Sequence, residues 1–257
     1  LFRHADDTVE RRRVEVAAFF SNARNDLRLM REIKELTDAL SKSRREVCPA
    51  ARLSDVAALL HSELRPRIVS FSGHEFAGML LFEPDEPGGG GAPRVPTADE
   101  LVAVLSPEHA PELQSVVLNA CKTEALGLRL RALLPHLSVI AWRTLALDAA
   151  VKAFSRGFYQ SLARGNAVPF AAAFAAGRAS MLAAGFCEGD PEEHRHHPAH
   201  EHLAPGWRRA HPEWRRCPGC NPPVHGEPVL LTGARTMPAR GSSAELAGGD
   251  GAGERDL

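Results

Sequence analysis

The chain has 257 residues, with 31 Lys and Arg against 32 Asp and Glu and 44% hydrophobic residues. That length suits one large domain, or one domain plus a tail, with a full core. A formal charge of −1 gives no electrostatic case for nucleic acid or an anionic membrane, and the absence of any apolar run of about 18 residues argues against a transmembrane span. The opening LFRHADDTVERRR lacks the apolar stretch of a secretory signal. It starts on Leu, which reads as a fragment or an incomplete gene model. Five scattered cysteines do not form a disulfide framework, so a reducing, cytoplasmic compartment is expected.

In chain order, Val14–Phe20 (VEVAAFF) reads as a short strand after a lead-in over residues 1–13. A helix over Asn25–Leu40 follows, with Leu27, Met30, Ile33, Leu36 and Leu40 at helical spacing and Asn25 or Asp26 as its cap. An extended piece near Val47 precedes a helix from Ser54, as cap, to about Leu64, closed by Pro66. Arg67–Ser72 (RIVSFS) is the clearest buried strand, and Gly78–Phe82 is a shorter one. The run Gly88–Gly91 marks a flexible loop. Thr97 then looks like an N-cap, with Glu100 at the capping-box position and a helix to about Leu105. Ser115–Ala120 (SVVLNA) is a strand, Leu126–Leu134 a helix, and Ser138–Trp142 (SVIAW) a strand. Helices over Leu147–Arg164, capped near Thr144, and Val168–Ala184 complete the unit. This alternation predicts an α/β three-layer sandwich, a mainly parallel sheet with helices on both faces, over residues 14–187.

Residues 188–257 differ in kind. They hold 9 Pro, 10 Gly and 7 of the 12 histidines. That composition removes backbone donors and raises the entropy cost of ordering, so a largely disordered tail is expected.

Open α/β sheets carry their chemistry at the carboxyl ends of strands. RIVSFS runs into Gly73-His74 and SVVLNA runs into Cys121. If the two strands are neighbours, both side chains share one edge. An imidazole can take the proton of a thiol, a helix N-terminus can favour the thiolate, and the Cys121 amide can donate to an oxyanion. A cysteine after a buried strand also serves as a small core residue, and a histidine there as a loop hydrogen-bonder. Spacing leaves both readings open.

The flanking residues add more. Arg67-Ile68-Val69-Ser70-Phe71-Ser72-Gly73-His74 resembles the histidine motif of CHAT domains, caspase-like domains often attached to TPR repeats. Val116-Val117-Leu118-Asn119-Ala120-Cys121 resembles that family's cysteine motif. Val139–Trp142, Asp148–Ala150, Phe154–Tyr159 and Ala171–Met181 follow its closing strand and helices in the same order. The likeness spans about residues 14–184. It implies a caspase-like cysteine endopeptidase cleaving proteins, with His74 as catalytic histidine, Cys121 as nucleophile, no cofactor, and an N-terminal repeat or sensor module as partner. The family usually has Gly after the histidine, supplying a second oxyanion-hole amide, whereas this chain has Glu75. Its side chain restricts the backbone and brings negative charge near a developing oxyanion. A catalytically weakened or inactive interaction module on the same fold is therefore the alternative reading.

Three further features stand apart. Asp148 either faces a substrate pocket, favouring a basic P1 residue, or stabilises a helix N-terminus. Cys217 and Cys220, with His211 and His225, are weak zinc candidates because a second CxxC is missing; no metal is expected. Arg11–Arg13 and Arg44-Arg45 read as solvated surface, and Cys48 and Cys187 as structural.

Overall fold

The computed structural model describes residues 11–24, 26–85, 91–165, 168–186, 188 and 226–232. Six strands form one sheet in the order β2-β1-β3-β6-β7-β8: β1 is Arg12–Phe20, β2 Arg45–Cys48, β3 Leu64–Ser72, β6 Ser115–Asn119, β7 Ser138–Trp142 and β8 Pro228–Leu231. All pairings are parallel except β7 with β8. A separate hairpin pairs β4 (Glu75–Phe76) with β5 (Met79–Leu80).

Side chains alternate across the sheet, as strand geometry requires. Val69, Phe71, Val116, Leu118, Val139 and Ala141 face one core layer, while Ile68, Val117, Ile140 and Trp142 face the other. The first layer is closed by α2 (Leu53–Ala58), α3 (Ala98–Val104) and α4 (Glu124–Leu133). The second is closed by α1 (Leu29–Ala39), α5 (Asp148–Ala163) and α6 (Phe170–Ala183). Both faces of a mainly parallel sheet are thus covered by helices, and the chain is the three-layer α/β sandwich its sequence predicts.

Several local expectations are corrected. Helix α1 begins at Leu29, with Arg28 at its N-cap position and no side-chain cap. Asp26 does not cap it, because the Asn22 Oδ1 accepts from the N–H groups of Asp26 and Leu27 (3.2 and 3.1 Å) and holds them in a turn, and Asn25 lies outside the described residues. The helix is also rotated: Leu29, Glu32 and Leu36 are buried, whereas Met30 is 71% exposed. Ser54 does not cap α2, which starts a residue earlier with the Asp55 carboxylate accepting from Arg52 N–H at 2.9 Å. Pro66 lies inside β3 and does not close a helix. Its missing N–H is tolerated because β6 pairs only from Ile68 onward, leaving β3 an edge strand at that point.

Thr144 does not cap α5; its hydroxyl donates to the Leu145 carbonyl and accepts from the Glu227 N–H (3.0 and 3.1 Å). Arg44 is half-buried, and its guanidinium closes the C-terminus of α5 by donating to the carbonyls of Leu162 and Gly165 (3.0 and 3.1 Å). Within the stretch read as disordered, Pro228–Leu231 forms the edge strand β8. The extended Trp142, Ala141, Ile140 and Val139 of β7 offer it a free ladder. Cys187, Cys217, Cys220, His211 and His225 lie outside the described residues. No helix among the described residues is long and apolar enough to cross a membrane.

Candidate active site

The connections reverse direction between β1 and β3: β1 leads outward to β2, whereas β3 leads the other way to β6. Such a switch point opens a crevice at the carboxyl edge of the sheet. The loops after β1, β3, β6 and β7 all emerge there.

β3 and β6 are hydrogen-bonded neighbours, and their ladder ends on the pair Ser72 and Asn119. The Gly73 N–H extends it by donating to the Asn119 carbonyl at 3.3 Å. His74 and Cys121 each stand two residues beyond that final pair, on the same edge of adjacent strands. His74 is mostly buried, with 17% of its side chain exposed, and its Nε2 lies 2.5 Å from an Asp26 carboxylate oxygen in the β1 loop. This hydrogen bond holds the Asp26 carboxyl below the usual carboxylate range. With Asp26 ionised, Nε2 donates the proton, and Nδ1 is left as the basic nitrogen.

Cys121 is a free thiol. It lies against the loop between β7 and α5, donating to the Ala146 carbonyl at 3.7 Å while the Ala146 N–H points at Sγ from 3.4 Å. Lys122 follows in the left-handed region with φ 51°, and its N–H donates to the Thr144 carbonyl at 3.0 Å. Helix α4 begins only at Glu124, so Cys121 stands ahead of the helix and gains little from its dipole. Burial pushes the thiol up; the Ala146 N–H opposes this, and the Glu75 carboxylate adds to the rise. The resting group is therefore a neutral thiol at neutral pH.

Glu75 opens the β4–β5 hairpin, and its carboxylate accepts from the Gly78 N–H. Ala77 and Gly78 form the two-residue turn with φ 52° and 80°, the signature of a type I′ hairpin. The hairpin thus fixes a carboxylate that disfavours the Cys121 thiolate. Glu75→Gln should speed alkylation of Cys121 by iodoacetamide up to a few-fold near pH 8 and move the midpoint of its pH profile downward. An unmoved midpoint would show that the Glu75 charge does not reach the sulfur.

Asp148 is the first residue of α5 and pairs with Lys152 at 2.8 Å. It stands two positions after Ala146, at the end of the β7–α5 loop against which Cys121 lies. Cys48 is half-buried, with burial first among the causes that push its thiol to about 11. No cluster of three or more metal-ligating side chains occurs among the described residues.

Sequence reasoning missed Asp26, Ala146 and Glu32. The first two join the site only through loop packing. Glu32, on α1, is a fully buried carboxylate beneath both strand ends, and no local pattern distinguishes it from the other acidic residues of that helix.

No family model and no curated protein matches the chain. Among solved structures, a secreted C11 cysteine protease from Bacteroides thetaiotaomicron, in complex with an irreversible peptide inhibitor, is similar with a TM-score of 0.49 at 12% identity. The likeness covers 68% of this chain and 60% of that one. The functional reading is carried by the residues of the present chain.

Proposed function

We propose that the chain is a caspase-like cysteine endopeptidase of the CHAT type, acting on protein substrates through His74 and Cys121. The observation that carries this reading is the placement of both residues two positions past the last β3–β6 pair, Ser72 and Asn119. In the proposed reaction His74 Nδ1 takes the Cys121 proton as the sulfur attacks a peptide carbonyl carbon. A C–S bond forms and the carbonyl electrons move to oxygen, where the backbone N–H groups of Cys121 and Glu75 are the candidate donors. His74 then gives the proton to the leaving amine as the C–N bond breaks. Water, deprotonated by His74, hydrolyses the thioester and restores the thiol. Because the resting thiol is neutral, His74 acts as a general base and not as half of a standing ion pair.

Asp148 is the candidate for reading a basic P1 residue, and its bond to Lys152 is the competing demand on its charge. A reducing compartment keeps the thiol competent, and an N-terminal repeat or sensor module is the proposed controlling partner. The rise in the Cys121 thiol imposed by burial and by Glu75 favours a second reading, an interaction module with little or no activity. An electrophilic peptide probe separates the two. Covalent labelling of Cys121 by probes of varied P1 residue, lost in His74→Ala and Cys121→Ala, is the expected result. Under reducing conditions, wild-type chain that never labels with any P1 residue would overturn the peptidase reading.

A further inference from the structure

Beneath the two strand ends lies a polar group that the proposed chemistry does not use. Glu32 is 3% exposed. One of its oxygens, Oε1, accepts from the Asn119 side-chain amide at 2.8 Å, the Ser72 hydroxyl at 2.9 Å and the Ser155 hydroxyl at 2.9 Å. Asn119 also reaches Ser155 at 3.1 Å, and its Oδ1 accepts from the Trp142 indole N–H at 3.3 Å. Ser72 and Asn119 are the residues that end the β3–β6 ladder, each two positions before His74 or Cys121. Ser155 belongs to α5, and Trp142 ends β7. A single carboxylate oxygen therefore ties α1 to the ends of β3 and β6 and to α5.

Burying a carboxylate is costly, and burial raises its pKa against the bonds from Ser155, Ser72 and Asn119. An apolar residue on α1 would avoid that cost but would take away the acceptor that three buried donors share, leaving Asn119 only its contact with Ser155. The cluster makes sense as a device for register and direction, because hydrogen bonds specify geometry that apolar packing leaves loose.

We propose that Glu32 is a positioning residue, a buried brace that sets the ends of β3 and β6 against one another and thereby places His74 relative to Cys121. This rests on the peptidase reading for its functional consequence, though not for its structural one. Glu32→Ala removes the acceptor, whereas Glu32→Gln keeps an oxygen in the place of Oε1.

The test measures inactivation of the full chain by the peptide probe together with the indole N–H signal of Trp142 in solution NMR, assigned with Trp142→Phe. The expected result for Glu32→Ala is a fall of about ten-fold or more in kinact with KI within about two-fold, since geometry and not binding is lost. Glu32→Gln should recover to within about three-fold of wild type. The Trp142 signal should shift in Glu32→Ala and return in Glu32→Gln. Equal kinact in Glu32→Ala and wild type, or no recovery in Glu32→Gln, would overturn the brace. Should wild type never label, the peptidase reading fails by itself; the brace is then judged on the Trp142 signal, and an unmoved signal in Glu32→Ala overturns it. If Glu32→Ala does not fold, Ser155→Ala removes one donor at smaller cost, and Glu32→Gln must still fold and keep the wild-type Trp142 signal.

Discussion

Gly73→Ala should cost about 2–3 kcal/mol of stability and abolish most labelling of Cys121. Gly73 sits between two strand ends. Ser21 N–H donates to the Ser72 carbonyl at 2.9 Å on one side, and Gly73 N–H donates to the Asn119 carbonyl on the other. A Cβ at position 73 would lie 2.5 Å from the Ser21 carbonyl oxygen. That oxygen is backbone, so no rotamer change relieves the contact. Either β1 and β3 part at their ends, breaking the Ser21–Ser72 bond, or β3 shifts and carries His74 with it. Gly165→Ala is the matched control: nothing lies within 4 Å of its added Cβ, so its effect should stay within about 0.5 kcal/mol. Urea unfolding of both variants decides the matter, and a Gly73→Ala midpoint equal to wild type would show that the strand ends have slack.

The cost at Gly73 follows from a contact that no sequence pattern encodes, and the same division runs through the molecule. The strands of the sheet centre were legible because buried parallel strands are continuous β-branched and apolar runs, as in RIVSFS, SVVLNA and SVIAW. The Thr97 cap was legible because its chemistry is local: Glu100 N–H donates to Thr97 Oγ1 at 3.2 Å, and Thr97 N–H to the Glu100 carboxylate at 2.7 Å. The neighbouring placement of His74 and Cys121 was legible as a conditional, since only the pairing of β3 with β6 could satisfy it.

What could not be read depends on partners distant in sequence. Glu32 looks like one more acidic residue of an amphipathic helix until Ser72, Asn119 and Ser155 converge on it. Met30 matches the apolar spacing, yet α1 turns it outward to bring Glu32 in. β8 is four residues whose ladder partner, β7, is far away along the chain, and the Pro and Gly around it mask its pattern. Through Glu227 it also reaches the loop beside Cys121: Arg143 N–H donates to the Glu227 carbonyl at 2.9 Å, and Glu227 N–H to Thr144 Oγ1 at 3.1 Å. A segment that composition assigns to a tail therefore buttresses the candidate site.

Asp26 is the clearest case of a residue whose role changes between sequence and structure, and its replacement should have the larger effect on chemistry. A helix cap would leave His74 without an orienting partner; the observed carboxylate instead holds Nε2 at 2.5 Å. This fixes the ring and the tautomer, and in the proposed reaction it would stabilise the imidazolium formed when the thiol proton transfers. Asp26→Ala should lower kinact for the peptide probe by about 10- to 1000-fold with little change in KI. Asp26→Asn should fall between, because its carbonyl can accept the Nε2 proton but carries no charge. The pH dependence has a definite sign. The His74 bond depresses the folded-state pKa of Asp26 below its ordinary 3.8, so the carboxylate's contribution is complete above that value and fades only as pH falls through the lower folded value. Wild type should therefore keep the Asp26 carboxylate ionised throughout the neutral range, so that no loss of kinact between pH 8 and pH 6.5 comes from protonation of Asp26. A kinact unchanged in Asp26→Ala would show that His74 is oriented from another side and that the observed pair is only a surface contact.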